Sequence, residues 1–141
     1  MEDIFLPGTE EEIGLCFDAF KALRPNLDNK EAFVDQVLRQ QKQSYRIVAI
    51  QLEGEVPSAA GFRFGEFLAW GKTLYVDDLT TLPEYRGRGF GGRLMDWLIE
   101  HASKQGCDSL HLDSGYTRHD AHRLYLNKGL VMASHHLAVE L

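Results

Sequence analysis

The sequence predicts one mixed α/β domain, an α+β arrangement with a mixed sheet, in the order β-α-α-β-β-β-α-β-α-β. Three observations predict it. Apolar residues recur at helical spacing in four segments, each bounded by a capping pattern, a glycine or a proline. Between the second and third of these, three runs rich in β-branched and aromatic residues follow one another across tight turns, as antiparallel neighbours do. Downstream, strand, helix and strand alternate, as parallel neighbours do, so the sheet should be mixed. The 141 residues hold no repeat, low-complexity tract or linker, and residues 1–141 read as a single domain.

Taken in order, Ile4, Phe5 and Leu6 form a short strand. Thr9 and Glu12 have capping-box spacing, and Ile13, Cys16, Phe17, Phe20 and Leu23 continue as one apolar helical face that Pro25 stops. Asp28 and Glu31 have the same spacing and open a helix that buries Phe33, Val34, Val37 and Leu38. Residues 45–52 are a strand, with Glu53, Gly54 and Glu55 as its turn; residues 59–70 and 74–82 are two more, joined at Gly71 and Lys72. A helix then carries Phe90, Leu94, Trp97, Leu98 and Ala102 on one face and closes at Gly106. Residues 109–114 alternate as a strand. Thr117 and Asp120 can cap a helix that runs to Asn127 and ends at Gly129, and residues 130–141 return as a final apolar strand.

Composition narrows the classes. Hydrophobic residues make up 44% and charged residues 26%, a globular balance. The net charge of -6 speaks against nonspecific nucleic-acid binding, which needs a basic surface. No apolar run approaches the roughly 20 residues that span a bilayer, and the acidic start at Met1, Glu2 and Asp3 lacks the basic-then-apolar order of a signal peptide. Cys16 and Cys107 are far apart and read as free thiols, so the expectation is a cytoplasmic protein. Six histidines raise the question of a metal. His119 and His122 share a helix face, but adjacent His135 and His136 point to opposite sides of a strand, and no HExxH pattern exists; no metal is expected.

The stretch PEYRGRGFGGRLM, residues 83–95, carries the chemistry. Glycines at 87, 89, 91 and 92 let backbone N–H groups converge with no Cβ in the way. The helix that follows adds its unpaired amides and positive dipole end, and Arg86 and Arg88 add charge: a site for a pyrophosphate. A plain turn would not need four glycines. The string also fits GxGxxG, but four residues separate it from the strand and too little chain follows for a dinucleotide-binding fold. No Gly-Lys-Ser/Thr follows, which excludes a P-loop.

Read as Arg86-x-x-Gly89-x-Gly91, the loop resembles the acyl-CoA pyrophosphate loop of the GNAT superfamily of N-acetyltransferases. The pattern Ala121-x-x-Leu124-Tyr125-x-x-x-Gly129 is similar to that family's second cofactor segment, and locally it looks closest to aminoalkylphosphonate N-acetyltransferases. The resemblance implies a sheet splayed between its fourth and fifth strands, with acetyl-CoA as co-substrate in the gap. It implies pantetheine pairing with the backbone of Leu79, Thr80 and Thr81, and pyrophosphate binding by Arg86, Gly87, Arg88, Gly89, Phe90, Gly91 and Gly92. It assigns Tyr125 as the acid that protonates the leaving sulfur. Many relatives carry Asn where this chain has Arg118, so that role is not carried over. The activity implied is acetyl transfer to a primary amine of a small molecule by direct attack in a ternary complex. The alternatives are a module that binds or senses acyl-CoA without catalysis, and an enzyme for protein or peptide amines.

For the base, Asp77 and Asp78 stand side by side. Strand neighbours point to opposite faces, so at most one should face the acceptor unless a bulge shifts the parity. Asp77, on the face of Tyr75, is favoured, with Asp78 the other candidate. Phe62, Phe64, Phe67, Trp70 and Trp97 read as core, though Trp70, beside a turn, could instead line an acceptor pocket, and His135 or His136 could touch the acceptor. The last strand suits pairing in a homodimer.

Overall fold

A computed structural model describes residues 2–141; Met1, which begins the acidic start, lies outside them. The elements are β1 (Glu2–Phe5), α1 (Glu10–Leu15), α2 (Phe17–Leu23), α3 (Lys30–Gln41), β2 (Tyr45–Leu52), β3 (Glu55–Phe67), β4 (Gly71–Thr81), α4 (Phe90–Lys104), β5 (Ser109–Leu112) and α5 (His119–Asn127). The five strands form one sheet in sequence order. β1 to β4 pair antiparallel and β4 pairs with β5 in parallel, the mixed sheet that the turn and crossover pattern predicts.

Alternation along the strands builds two cores. Val48, Ile50, Ala60, Phe62, Leu74 and Val76 meet Phe90, Leu94, Met95 and Leu98 of α4 on one face. Ile47, Ala49, Val56 and Ala59 meet Ile13, Cys16, Phe20, Phe33 and Val37 of α1, α2 and α3 on the other. Each fully buried Leu- or Phe-sized side chain contributes about 1.5–3 kcal/mol, so these layers fix the sheet that carries the site. Trp97 packs at the edge of the α4 core, its ring 5.8 Å from Phe62.

The local signals hold with small shifts. Thr9 and Glu12 form the expected capping box, each side chain accepting from the other's amide at 3.1 and 3.0 Å. The first helix, however, breaks in two at Cys16, whose amide donates to the carbonyl of Ile13 in a tightened turn. α3 is capped by Asn29, one residue after Asp28: the Asn29 amide oxygen accepts from Ala32 N at 2.9 Å, and asparagine caps as well as aspartate. The hairpin between β2 and β3 turns on Glu53 and Gly54 alone, both at positive φ, and β3 therefore starts at Glu55. α5 opens at Arg118 with no side-chain cap, so Thr117 does not cap it, and β5 stops at Leu112.

One expected element is absent. Residues 130–141 join no strand or helix among the described residues. Period-two apolarity permits a strand but does not by itself bring the segment to a neighbour's edge, and here it pairs with none of the five strands. Val131, Met132, Leu137, Val139 and Leu141 all stand exposed. Among the described residues no helix is long and apolar enough to cross a membrane.

Candidate active site

β5 pairs with β4 only over Thr73 to Val76, facing Ser109 to Leu112. Beyond Val76, β4 continues to Thr81 with β3 as its partner on one side, Ser58 facing Thr81. The two parallel strands, the last two of the sheet, thus part beyond Val76. Backbone groups in a strand alternate between its two edges, so part of the Asp77–Thr81 backbone faces the gap. The Leu79 side chain packs against the α4 core, and Thr80 is buried, its hydroxyl donating to the carbonyl of Ala19 at 2.8 Å. β4 is thereby tied to α2 where the gap opens.

The arginine-glycine loop runs from β4 into α4. A 3₁₀ turn at Pro83–Tyr85 precedes it, and Gly89 at φ 84° is the N-cap of α4, with no side chain capping the helix. The first amides of α4 are left for an outside acceptor, at the positive end of the helix dipole. Gly87 (φ 80°) and Gly89 hold the turn, and a Cβ on either would meet nothing within 4 Å. Gly91 also touches α5: a Cβ there would lie 3.3 Å from Leu124, a tight contact, while one on Gly92 would meet Lys128 at an ordinary 3.6 Å. Arg86 donates to the carbonyl of Thr81 at 3.3 Å, and the Arg88 guanidinium lies 5.1 Å from the Tyr85 ring centre. This uncapped, glycine-turned helix start fits the pyrophosphate of a nucleotide-bearing thioester.

Asp77 and Asp78 both turn to one side. A bulge in the β3–β4 ladder sets Gly61 opposite Asp78 and Phe62 opposite Val76, leaving Asp77 as the extra residue. Arg63 grips Asp77 through Nε and Nη2, at 3.0 and 2.5 Å. Asp78 accepts from Tyr45 Oη at 3.0 Å and from Arg24 Nε at 3.0 Å. Tyr45 and Arg63 face each other across β2 and β3 and so share a face of the sheet, and both aspartates reach it. Strict alternation would have sent one away. Burial pushes the Asp78 carboxyl up from the usual aspartate value, while Arg24 and Tyr45 oppose the shift.

Two cavities meet at this pair. One, of about 230 Å3, lies in the gap between β4 and β5, with Val76, Leu79 and Leu112 beside Asp113, Arg118 and Tyr125. The other, of about 280 Å3, lies under α2 and α3 among Phe20, Leu27, Phe33, Val37, Tyr45 and Arg63. Arg24, Asp77 and Asp78 line both. Tyr125 is buried with the α4 core yet reaches the first cavity. Burial raises its pKa, opposed by the charge of Arg118, so the phenol stays protonated at neutral pH.

Arg24, Tyr45, Arg63 and Asp113 belong to this constellation, and no motif marks them in the sequence. The only signals there are a charged residue inside the apolar run of β3 and an arginine set just before the helix-stopping Pro25. Tyr75 donates to Asp113, whose carboxylate lies 3.4 Å from His136 Nδ1. His136 thus approaches the rim of the first cavity, while His135 contacts the Tyr116 hydroxyl at 3.2 Å. Trp70 lines neither cavity; it stacks on His111 at 4.0 Å between ring centres, beside a half-exposed Phe67. His122 hydrogen-bonds the carbonyl of Gly115, and no cluster of three metal-binding side chains exists among the described residues.

A parted parallel strand pair, an uncapped helix start and a buried phenol between them define an acyl-CoA-dependent transferase. The chain belongs to the acetyltransferase (GNAT) family, whose model matches residues 14–130. It is 29% identical over 120 residues to the uncharacterized N-acetyltransferase YhdJ of Bacillus subtilis, covering 85% of this chain and 84% of that one. Over 54 residues it is 37% identical to aminoalkylphosphonate N-acetyltransferase of Salmonella typhimurium, covering 38% of this chain and 35% of the relative. The fold matches a predicted acetyltransferase of Clostridium acetobutylicum solved with acetyl-CoA, with a TM-score of 0.79 at 16% identity over 99% of this chain and 96% of the other.

Proposed function

We propose that the protein moves an acetyl group from acetyl-CoA to a primary amine of a small molecule, by direct attack within a ternary complex. The observation that carries this is the meeting of the two cavities at Asp77 and Asp78. The gap between β4 and β5 receives the thioester arm, and the pocket under α2 and α3 receives the amine. Volumes of about 230 and 280 Å3 suit a small acceptor better than a protein chain.

The chain's groups divide the work. Amides at the start of α4, with Arg86 and Arg88, hold the pyrophosphate, and the free β4 backbone near Leu79, Thr80 and Thr81 pairs with the pantetheine arm. Asp78 receives the proton that the ammonium must lose before its nitrogen can attack. Asp77 is the weaker candidate, because the cationic fork of Arg63 engages both of its oxygens, whereas Asp78 meets a cation at Oδ1 alone and the neutral Tyr45 hydroxyl at Oδ2. As the C–N bond forms and the C–S bond breaks, Tyr125 donates its proton to the departing sulfur. A backbone N–H of the parted strand steadies the carbonyl oxygen.

The test measures acetyl-CoA binding and thiol release with a panel of small amines, for the native chain and Tyr125→Phe. The reading expects turnover with at least one amine, and a fall in kcat for the variant that exceeds any loss of acetyl-CoA affinity. Binding without turnover on any amine would favour a sensing module, and equal losses in both quantities would make Tyr125 a packing residue.

A further inference from the structure

We infer, on the acetyl-transfer reading, that Arg24 sits in the place of the acceptor's ammonium group and that a primary alkylammonium displaces it to reach Asp78. One nitrogen of Arg24, Nη2, lies 2.9 Å from Oδ1 of Asp78 and donates to the backbone carbonyl of Asp77 at 3.0 Å. A carboxylate oxygen and a carbonyl oxygen turned toward one cationic nitrogen are the partners that two N–H groups of an ammonium need. Asp77 is the extra residue of the bulge, so its backbone stands outside the regular ladder of β3 and β4. The position also suits the reaction. Arg24, Asp77 and Asp78 line both cavities, and a nitrogen held there stands between the thioester gap and the acceptor pocket.

Arg24 is held loosely enough to leave. Its amide donates to the carbonyl of Phe20 at 2.8 Å as it closes α2, which fixes the backbone, but its side chain is 46% exposed. An ion pair so open to water is weak. Arg63 differs: it forks Asp77 with two nitrogens, lies over the Tyr45 ring and is 28% exposed, so it stays. Around Asp78 stand Tyr45 from β2, Arg63 from β3, Asp77 beside it and, in the gap, Asp113, Arg118 and Tyr125. With Arg24 gone, Oδ1 of Asp78 has lost its cation, and the side chain is only 16% exposed. A buried carboxylate in that state needs a new positive charge with N–H groups to donate. An alkylammonium supplies both. An aryl amine, neutral at pH 7, lacks the charge, and a quaternary ammonium lacks the N–H. Arg24 therefore keeps Asp78 paired while the pocket is empty and admits acceptors that arrive as alkylammonium cations.

The experiment titrates butylammonium, tetramethylammonium and methylguanidinium by calorimetry into the protein saturated with coenzyme A. It compares the native chain with Arg24→Gln and Arg24→Lys, whose folding a thermal melt verifies, and follows thiol release from acetyl-CoA with a panel of small amines. Butylammonium should bind Arg24→Gln about fivefold more tightly than the native chain, the scale of one half-exposed ion pair. Methylguanidinium should compete with it for that one site, tetramethylammonium should gain nothing, and Arg24→Lys, which keeps a cation in place, should match the native chain. Unchanged or weaker butylammonium binding in Arg24→Gln overturns the inference. An equal gain for tetramethylammonium does so too, because charge alone would then explain the change. Turnover together with either result leaves the transferase reading standing without this seat, whereas binding with no thiol release from any amine overturns both.

Discussion

Tyr45 donates its hydroxyl to Oδ2 of Asp78 across 3.0 Å, joining the first residue of β2 to the bulged middle of β4. That bond stabilises the ionised carboxylate against its burial. Tyr45→Phe removes it and raises the Asp78 pKa further. If Asp78 is the base, activity falls as pH drops through that pKa, so the acidic limb of the kcat/KM profile moves to higher pH. Stability should fall by about 1.5–3 kcal/mol, the net worth of one hydrogen bond to a charged group. An acidic limb that stays in place would remove Asp78 from the base role.

The same phenol lies over Gly61, where an added Cβ would stand 1.8 Å from its oxygen and 2.5 Å from Cζ. Gly61→Ala must displace the ring and loosen the bulge that turns both aspartates to one side. The expected loss is about 1–3 kcal/mol, the usual scale for overpacking, read from a denaturant midpoint, together with a fall in kcat/KM. Combined with Tyr45→Phe, the losses should be less than additive, because both act on one contact.

Gly89 and Gly91 are separable. Gly89→Val puts a branched side chain at φ 84° and over the amides at the start of α4, so acetyl-CoA affinity should fall at least about tenfold, roughly 1.4 kcal/mol. Gly91→Ala asks only the tip of Leu124 to yield and keeps the amide, so its affinity should stay near the native value. Titration calorimetry compares the two, and the opposite ranking would relocate the pyrophosphate site.

Arg118 lowers the Tyr125 pKa against the rise caused by burial. Arg118→Gln removes that opposition, and the phenol then holds its proton to higher pH. A Tyr125 acid must be protonated to work, so the alkaline limb of the rate profile should move upward. A limb that moves downward or stays put would disconnect Tyr125 from the proton transfer.

Much of this architecture is legible in the sequence because it depends on neighbours along the chain. The capping box at Thr9 and Glu12, the loop of Gly87 and Gly89 and the apolar face of α4 each follow from spacing along one segment. The aspartate pair is visible there too, but its geometry is not. Alternation is a rule for regular strands, and the bulge at Asp77 arises from how β3 pairs with β4. Arg24 and Arg63 are hidden for a similar reason: they lie 54 and 15 residues from Asp78 and reach it, or its neighbour Asp77, only through the fold.

The sequence by itself determined most of the element types, the mixed sheet, the glycine-turned helix start and the acetyltransferase family, since each rests on local periodicity, glycine conformation or a contiguous motif. The tertiary structure alone decided which aspartate is locked by an arginine fork and which loop glycine lies against α5. It also decided that residues 130–141 pair with none of the five strands. Those outcomes depend on the distances between segments far apart in the chain, and a strand pattern states what a segment can pair with without stating whether a partner edge is within reach.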